Sequence, residues 1–144
     1  MKPKVLFLCT GNSARSQMAE GYLRHVANDR FEAISAGTQP IDLNPLAVEA
    51  MREIGIDISN QRSKAASSLL GQHVPFVVRL CESVKERCPI FPGTWEVLDW
   101  SFEDPAAAIG SDEERLAAFR RVRDEIIARI DERFVRGDTS RKQT

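Results

Sequence analysis

Short apolar runs alternate along the chain with longer stretches in which apolar residues recur every three or four positions. Val5-Leu6-Phe7-Leu8 is the first run and reads as a strand buried on both faces. Residues 17–26 follow, with Met18, Ala19, Tyr22, Leu23 and Val26 at helical spacing. Residues 31–37 predict a second short strand closing on Gly37, and residues 38–43 a loop. Asn44-Pro45 starts a helix, with Asn as cap and Pro at the first position. Leu46, Ala47, Ala50, Met51 and Ile54 form its apolar face, and Gly55 ends it. Residues 56–68 are polar and irregular, with a short helix expected near 65–70. Residues 74–80 predict a third strand, with Pro75 near its beginning, and residues 95–100 a fourth. Ser111-Asp112-Glu113-Glu114 is a capping-box start to a last helix. Leu116, Phe119, Val122, Ile126, Ile127, Ile130 and Phe134 form its stripe.

Strands alternating with helices imply right-handed crossovers and a parallel sheet covered on both faces. The expectation is one α/β domain over residues 1–136, a four-stranded parallel sheet with helices on both faces, followed by a polar tail at 137–144. Ligands of such sheets bind beyond the carboxyl ends of the strands. Cys9, Cys81 and Asp104 each follow a strand's carboxyl end, so topology alone directs them to one site.

With 144 residues the chain is long enough for one domain with a core and too short for two. A net charge of −1 gives no global attraction for nucleic acid or an anionic membrane, so any affinity for anions must be local. No apolar stretch has the length of a membrane span, and Met1-Lys2-Pro3-Lys4 leads into a strand without a signal-peptide pattern. The expectation is a cytoplasmic monomer whose three cysteines are reduced thiols, some of them reactive.

The densest chemistry lies in Cys9-Thr10-Gly11-Asn12-Ser13-Ala14-Arg15-Ser16, between the first strand and the first helix. The N–H groups of such a turn, together with the positive end of the helix dipole, bind oxyanions. Gly11 permits the left-handed backbone that a nest of N–H groups requires, and Asn12 is the non-glycine residue that tolerates it best. Arg15 supplies a planar fork for bidentate contact with a tetrahedral anion. Cys9 stands in the same positive field, which lowers a thiol's pKa, and Ser16 can donate a hydrogen bond to the thiolate. A Walker phosphate loop is excluded, because no Gly-Lys-Ser/Thr ending is present and a Cys leads the loop.

This segment, continued by Gln17-Met18-Ala19-Glu20-Gly21, resembles the arsenate reductases built on the low-molecular-weight tyrosine phosphatase fold. The resemblance runs from Lys4 to about Phe134. It implies Cys9 as nucleophile, Thr10 to Arg15 as the oxyanion loop, Ser16 as stabiliser of the thiolate and Asp104, followed by Pro105, as general acid. Leu80-Cys81-Glu82 and Arg87-Cys88-Pro89-Ile90 match the resolving cysteines of thioredoxin-coupled members, which implies thioredoxin as reductant and no bound cofactor. A zinc site drawn from Cys9, Cys81, Cys88, His25 and His73 is disfavoured by the six-residue gap and the lack of a short Cys pair. The related phosphatases place tyrosines after the Asp-Pro pair, where this chain has Ala106-Ala107-Ala108. The alternatives are a phosphatase stopping at hydrolysis of a Cys9–phosphate intermediate and an oxyanion or arsenite sensor without turnover.

Two departures from the family stand out. Some members carry a second cysteine in the loop, where this chain has Ala14. Others bind potassium beside the loop through Asn, Glu, Ser and Asp; Asn12, Glu20 and Ser35 match, but the fourth position is Lys64. The stretch from Cys81 to Cys88 is constrained too. As intact α-helix it would hold the two Cα atoms about 10 Å apart, whereas a disulfide tolerates about 7 Å. The segment is expected to be ordered when reduced and looped outward when that bond forms.

Overall fold

The computed structural model describes residues 2–80, 91 and 93–136. Along the chain run β1 (Lys4–Cys9), α1 (Arg15–Ala27), β2 (Glu32–Gly37), α2 (Pro45–Arg52), β3 (Phe76–Arg79), β4 (Glu96–Asp99) and α3 (Asp112–Ile130). Short 3-10 turns cover Ala66–Leu69 and Pro105–Ala107, and a π-helical turn, Asp131–Arg136, prolongs α3. The four strands form one parallel sheet in the order β2-β1-β3-β4. The chain steps one way from β1 to β2 and the other way to β3, so the direction of winding reverses at β1. That is the switch point at which open α/β sheets bind ligands.

β1 lies in the middle of the sheet, and its residues divide strictly by parity. Val5 and Phe7, with Val78 and Leu80, face a core formed by Met18, Leu23, Met51, Phe119, Val122 and Ile126 of the three α-helices. Leu6 and Leu8, with Val77, face a smaller cluster of Ala36, Ala66, Leu69, Val74 and Phe91. Both faces therefore carry helical elements, the α-helices on one and the 3-10 turn Ala66–Leu69 on the other. Phe134 is fully buried at the base of the larger core, edge-on to Phe31, Phe76 and Trp100.

The element order matches the sequence reading, and the departures have local causes. β3 starts at Phe76 instead of residue 74, because Pro75 cannot donate to the ladder. The helix at 44–55 keeps Asn44 as its cap, with the side chain accepting from Leu46 N. Its regular part ends at Arg52, but Gly55, at φ +83°, still closes it: Gly55 N donates to Arg52 O and Ile56 N to Met51 O. Ile54, expected on the apolar face, falls in this closing turn and is 39% exposed. The capping box at Ser111 and Glu114 is present. Of the stripe on α3, Leu116 and Ile127 are half-buried at its margins, and the widened π turn brings Phe134 into the core. Residues 137–144 lie outside the described residues.

α2 is fastened to α3 by charge as well as by packing. Arg123 is buried and donates to the Ala50 carbonyl (2.8 Å) and to Glu53 (3.1 Å), while Arg120 grips Glu53 through Nε and NH2. The Arg120 hydrogen bond is the main reason that the Glu53 carboxyl is held below its ordinary value. A carboxylate with a depressed folded pKa contributes stability above its unfolded pKa and loses it as pH falls through the folded one. Glu53→Gln should therefore lower Tm by a few degrees at neutral pH. That difference should shrink towards zero as the pH of the melt is taken below the ordinary glutamate range.

Candidate active site

β1 delivers Cys9 to the carboxyl end of the sheet, and the chain then turns through five residues before α1 begins at Arg15. In this turn six consecutive carbonyls are engaged. Cys9 O accepts from Thr38 N (3.3 Å), Thr10 O from Gln39 N (2.9 Å), Gly11 O from Ile41 N (2.9 Å) and Ser13 O from Asn44 N (2.9 Å). Ala14 O accepts from Met18 N, and Asn12 O from Gln17 Nε2 (2.9 Å) and Ser63 Oγ (2.8 Å). No peptide here is cis. In a planar trans peptide the N–H points opposite to the C=O. Binding the carbonyls of residues 9–14 on the outside therefore turns the N–H groups of residues 10–15 to the pocket side.

Asn12 is the pivot of this turn. It is the one non-glycine residue with positive φ among those described, at 50°. Gly11 does not adopt the left-handed conformation expected of it. A Cβ there would lie 3.1 Å from Cγ1 of Ile41, a largely exposed side chain with room to yield. The Asn12 side chain is oriented by its partners. Its Oδ1 accepts from Lys64 N (2.7 Å), so Nδ2 donates to Ser16 Oγ (2.8 Å) and Ser35 Oγ (2.9 Å). Ser35 in turn donates to Glu20 Oε1 (2.5 Å). Because Ser16 accepts from Asn12, its own hydroxyl proton is left to donate elsewhere.

The pocket has a volume of about 290 Å³ and is lined by Cys9, Thr10, Gly11, Ser13, Ala14, Arg15, Gln39, Ile41, Asp104 and Ala106. The fold thus brings Cys9, the loop, Arg15 and Asp104 together, with Asn12 and Ser16 buried behind them. Cys9 is buried, only 3% exposed. Arg15 is held by NH1 donating to Phe102 O (3.1 Å), with NH2 3.8 Å from Asp104 Oδ2. Its Nε is the one buried side-chain polar atom among the described residues that lacks a hydrogen-bond partner. Nε and NH2 make up one edge of the guanidinium, the edge used in bidentate contact with a tetrahedral anion. Asp104 caps the 3-10 turn Pro105–Ala107 by accepting from Ala106 N (3.0 Å), which fixes its carboxylate at the mouth of the pocket. Cys81 and Cys88 lie outside the described residues.

A model of the family described as low molecular weight phosphotyrosine protein phosphatase matches residues 4–137. The chain belongs to that family. An arsenate reductase of Shouchella clausii is 50% identical over 129 residues, covering 90% of this chain and 93% of its own. An arsenate reductase solved in the phosphate-binding state superimposes with a TM-score of 0.73 at 34% identity, covering 92% of this phosphatase-family chain and 95% of that one. The thioredoxin-dependent arsenate reductase of Corynebacterium glutamicum gives a TM-score of 0.72 at 31% identity, over 96% of this chain and 63% of that one.

Sequence reasoning did not find Gln39, Ile41 or Asn44, whose segment binds the loop's outer edge, nor Gln17, Gln61 and Ser63 behind it. Gln17 Nε2 spans Asn12 O and Arg62 O, and Gln61 Nε2 donates back to Gln17. The signal for Gln17 was its place in the segment Gln17-Met18-Ala19-Glu20-Gly21 that carries the family resemblance, which names no role for it. The potassium ion that some members of the family bind does not fit the residues present here, as Lys64 led one to expect. Lys64 Nζ lies 3.7 Å from Glu20 Oε1, Arg24 pairs with the other carboxylate oxygen, and Asn12 presents its amide nitrogen to Ser35. Among the described residues no group of three or more His, Cys, Asp and Glu side chains could hold a metal ion, and no helix is long and apolar enough to cross a membrane.

Two outcomes are expected. Exchanging sodium for potassium at constant ionic strength should leave Tm and activity unchanged. Arg15→Lys keeps the charge and loses the fork. Phosphate titration of that variant should show roughly ten- to hundredfold weaker binding, the worth of one charge-assisted hydrogen bond.

Proposed function

We propose that this protein reduces arsenate to arsenite, with thioredoxin as the final electron donor. The observation that carries this reading is the pocket's composition: a buried thiol, an arginine edge with an unpartnered Nε and an aspartate, with Ala14, Ile41 and Ala106 as apolar lining. Such a pocket suits a small tetrahedral oxyanion, and among the described residues no aromatic side chain lines it to hold a phosphotyrosine ring. The arsenate reductases among the relatives support the substrate, and the thioredoxin-dependent neighbour supports the reductant.

In the proposed reaction the N–H groups of residues 10–15 and the Arg15 fork bind three arsenate oxygens and neutralise their charge. Ser16 donates to the Cys9 thiolate. Cys9 attacks arsenic, and Asp104 protonates the departing oxygen, which leaves as water. The Cys81 thiolate then attacks the Cys9 sulfur. A Cys9–Cys81 disulfide forms, the sulfur–arsenic bond breaks with its electron pair going to arsenic, and arsenite departs. Cys88 attacks Cys81, regenerating Cys9 and leaving a Cys81–Cys88 disulfide for the thioredoxin dithiol to reduce. No bound cofactor enters this sequence.

The family's phosphatase members favour a second reading, in which a Cys9–phosphate intermediate is hydrolysed by water. The two readings separate on the resolving thiols. With arsenate, thioredoxin, thioredoxin reductase and NADPH, Cys81→Ser should lose multiple-turnover reduction, and Cys88→Ser should stall after a single turnover. A hydrolase would keep its activity on a phosphoester in both variants. Continued thioredoxin-driven turnover by Cys88→Ser would overturn the relay.

A further inference from the structure

Gly37 ends β2, and no left-handed backbone requires a glycine there, since its φ is not positive. The requirement is one of space. A Cβ at this position would lie 2.6 Å from Thr10 O, 2.9 Å from Asn12 N and 3.0 Å from Asn12 Cβ. All three atoms belong to the oxyanion loop, and two of them are backbone, which cannot swing aside as the end of a side chain can. Gly37 itself is held from the other directions. It pairs with Cys9 in the β1–β2 register, bridges Ala65 in parallel, and donates its N–H to Lys64 O (2.8 Å).

We propose that Gly37 is a positioning residue for oxyanion binding: its lack of a side chain lets the end of β2 back directly onto the loop and sets the loop's curvature. The inference rests on the reading of this loop as an oxyanion site, though not on arsenic chemistry. A methyl group at Gly37 meets a strand end held on both hydrogen-bonding edges, by β1 and by residues 64–65, and a loop whose far side opens into the pocket, so the loop is what gives way. Moving Thr10 O turns the peptide that carries the Gly11 N–H, and moving Asn12 N displaces a second donor directly. Both are among the six N–H groups turned towards the anion. Asn12 would also carry its side chain away from Ser16, loosening the residue proposed to donate to the Cys9 thiolate.

The test compares the parent, Gly37→Ala and Phe134→Leu, each in a Cys81→Ser, Cys88→Ser background so that Cys9 is the one thiol left. Phe134 is buried at the opposite end of the core, so its variant loses stability without touching the loop. Sucrose keeps destabilised folds intact. The readouts are the phosphate Kd by calorimetry and the pH midpoint of Cys9 alkylation by iodoacetamide. Gly37→Ala is expected to fold, to bind phosphate roughly ten- to hundredfold more weakly, and to show an alkylation midpoint moved up towards that of an ordinary thiol. Phe134→Leu is expected to melt earlier with both readouts unchanged. A folded Gly37→Ala with parental Kd and midpoint overturns the proposal, as does an equal loss of affinity in Phe134→Leu. A Gly37→Ala that does not fold in sucrose also overturns it, because the clash then falls on the sheet instead of the loop. A parent that binds no phosphate overturns the oxyanion reading itself.

Discussion

Everything at the carboxyl end of this sheet depends on where six backbone carbonyls find their hydrogen bonds. A buried turn must satisfy its C=O groups or carry a heavy desolvation cost. Here residues 38–44, Gln17, Ser63 and the first turn of α1 satisfy all of those from 9 to 14. The N–H groups are then presented together by geometry, with no side chain aiming them. The anion site is thus a consequence of how the outer edge of the loop is bound. Its maintenance falls to groups on the outer edge of the loop, most of them backbone N–H.

Asn12 couples this backbone arrangement to the buried charges behind it. Its left-handed conformation closes the turn, and its amide links Ser16, behind the pocket, to Ser35 and Glu20 in the interior. A buried carboxylate needs compensation, and Glu20 receives it from Arg24 on its own helix and from Lys64 across the loop. Lys64 also supplies the N–H that orients Asn12 and the carbonyl that holds Gly37. One short segment, residues 61–65, therefore supports the loop through backbone and charge together.

The fold was legible in the sequence because its strands are short apolar runs between unambiguous helix signals. Asn44-Pro45, Gly55 and the Ser111 capping box each fix a boundary by local chemistry. Part of the pocket was legible for a similar reason: Cys9, the loop and Arg15 are contiguous, and Asp104 follows a strand end. The supporting residues were not. Gln39 and Ile41 act through backbone N–H groups, which every residue but proline possesses, so their identities carry no signal. Gly37 was readable as the end of a strand, but its close approach to Thr10 and Asn12 depends on the register of β2 against β1. Gly11 was assigned the unusual backbone that Asn12 takes, since either residue tolerates it and only the fold decides.

A loop built in this way holds donors that water or an anion must complete. The Arg15 Nε–H is the clearest case, and a buried donor left unpaired costs about 1–3 kcal/mol. The core beneath it, with β1 packed on both faces, holds the loop in place despite that cost. An oxyanion that binds returns the lost interaction and stabilises the fold by mass action, about 2.7 kcal/mol at a hundredfold excess over Kd. Phosphate and arsenate share shape and charge, so this gain cannot distinguish them. Discrimination in the proposed reaction must come after binding, from the element at the centre of the anion: arsenic(V) accepts the electron pair released when Cys81 attacks the Cys9 sulfur, and phosphorus(V) does not. The cradle sets affinity, and the thiols set the outcome. A site of this kind gains specificity from chemistry that its binding surface does not encode.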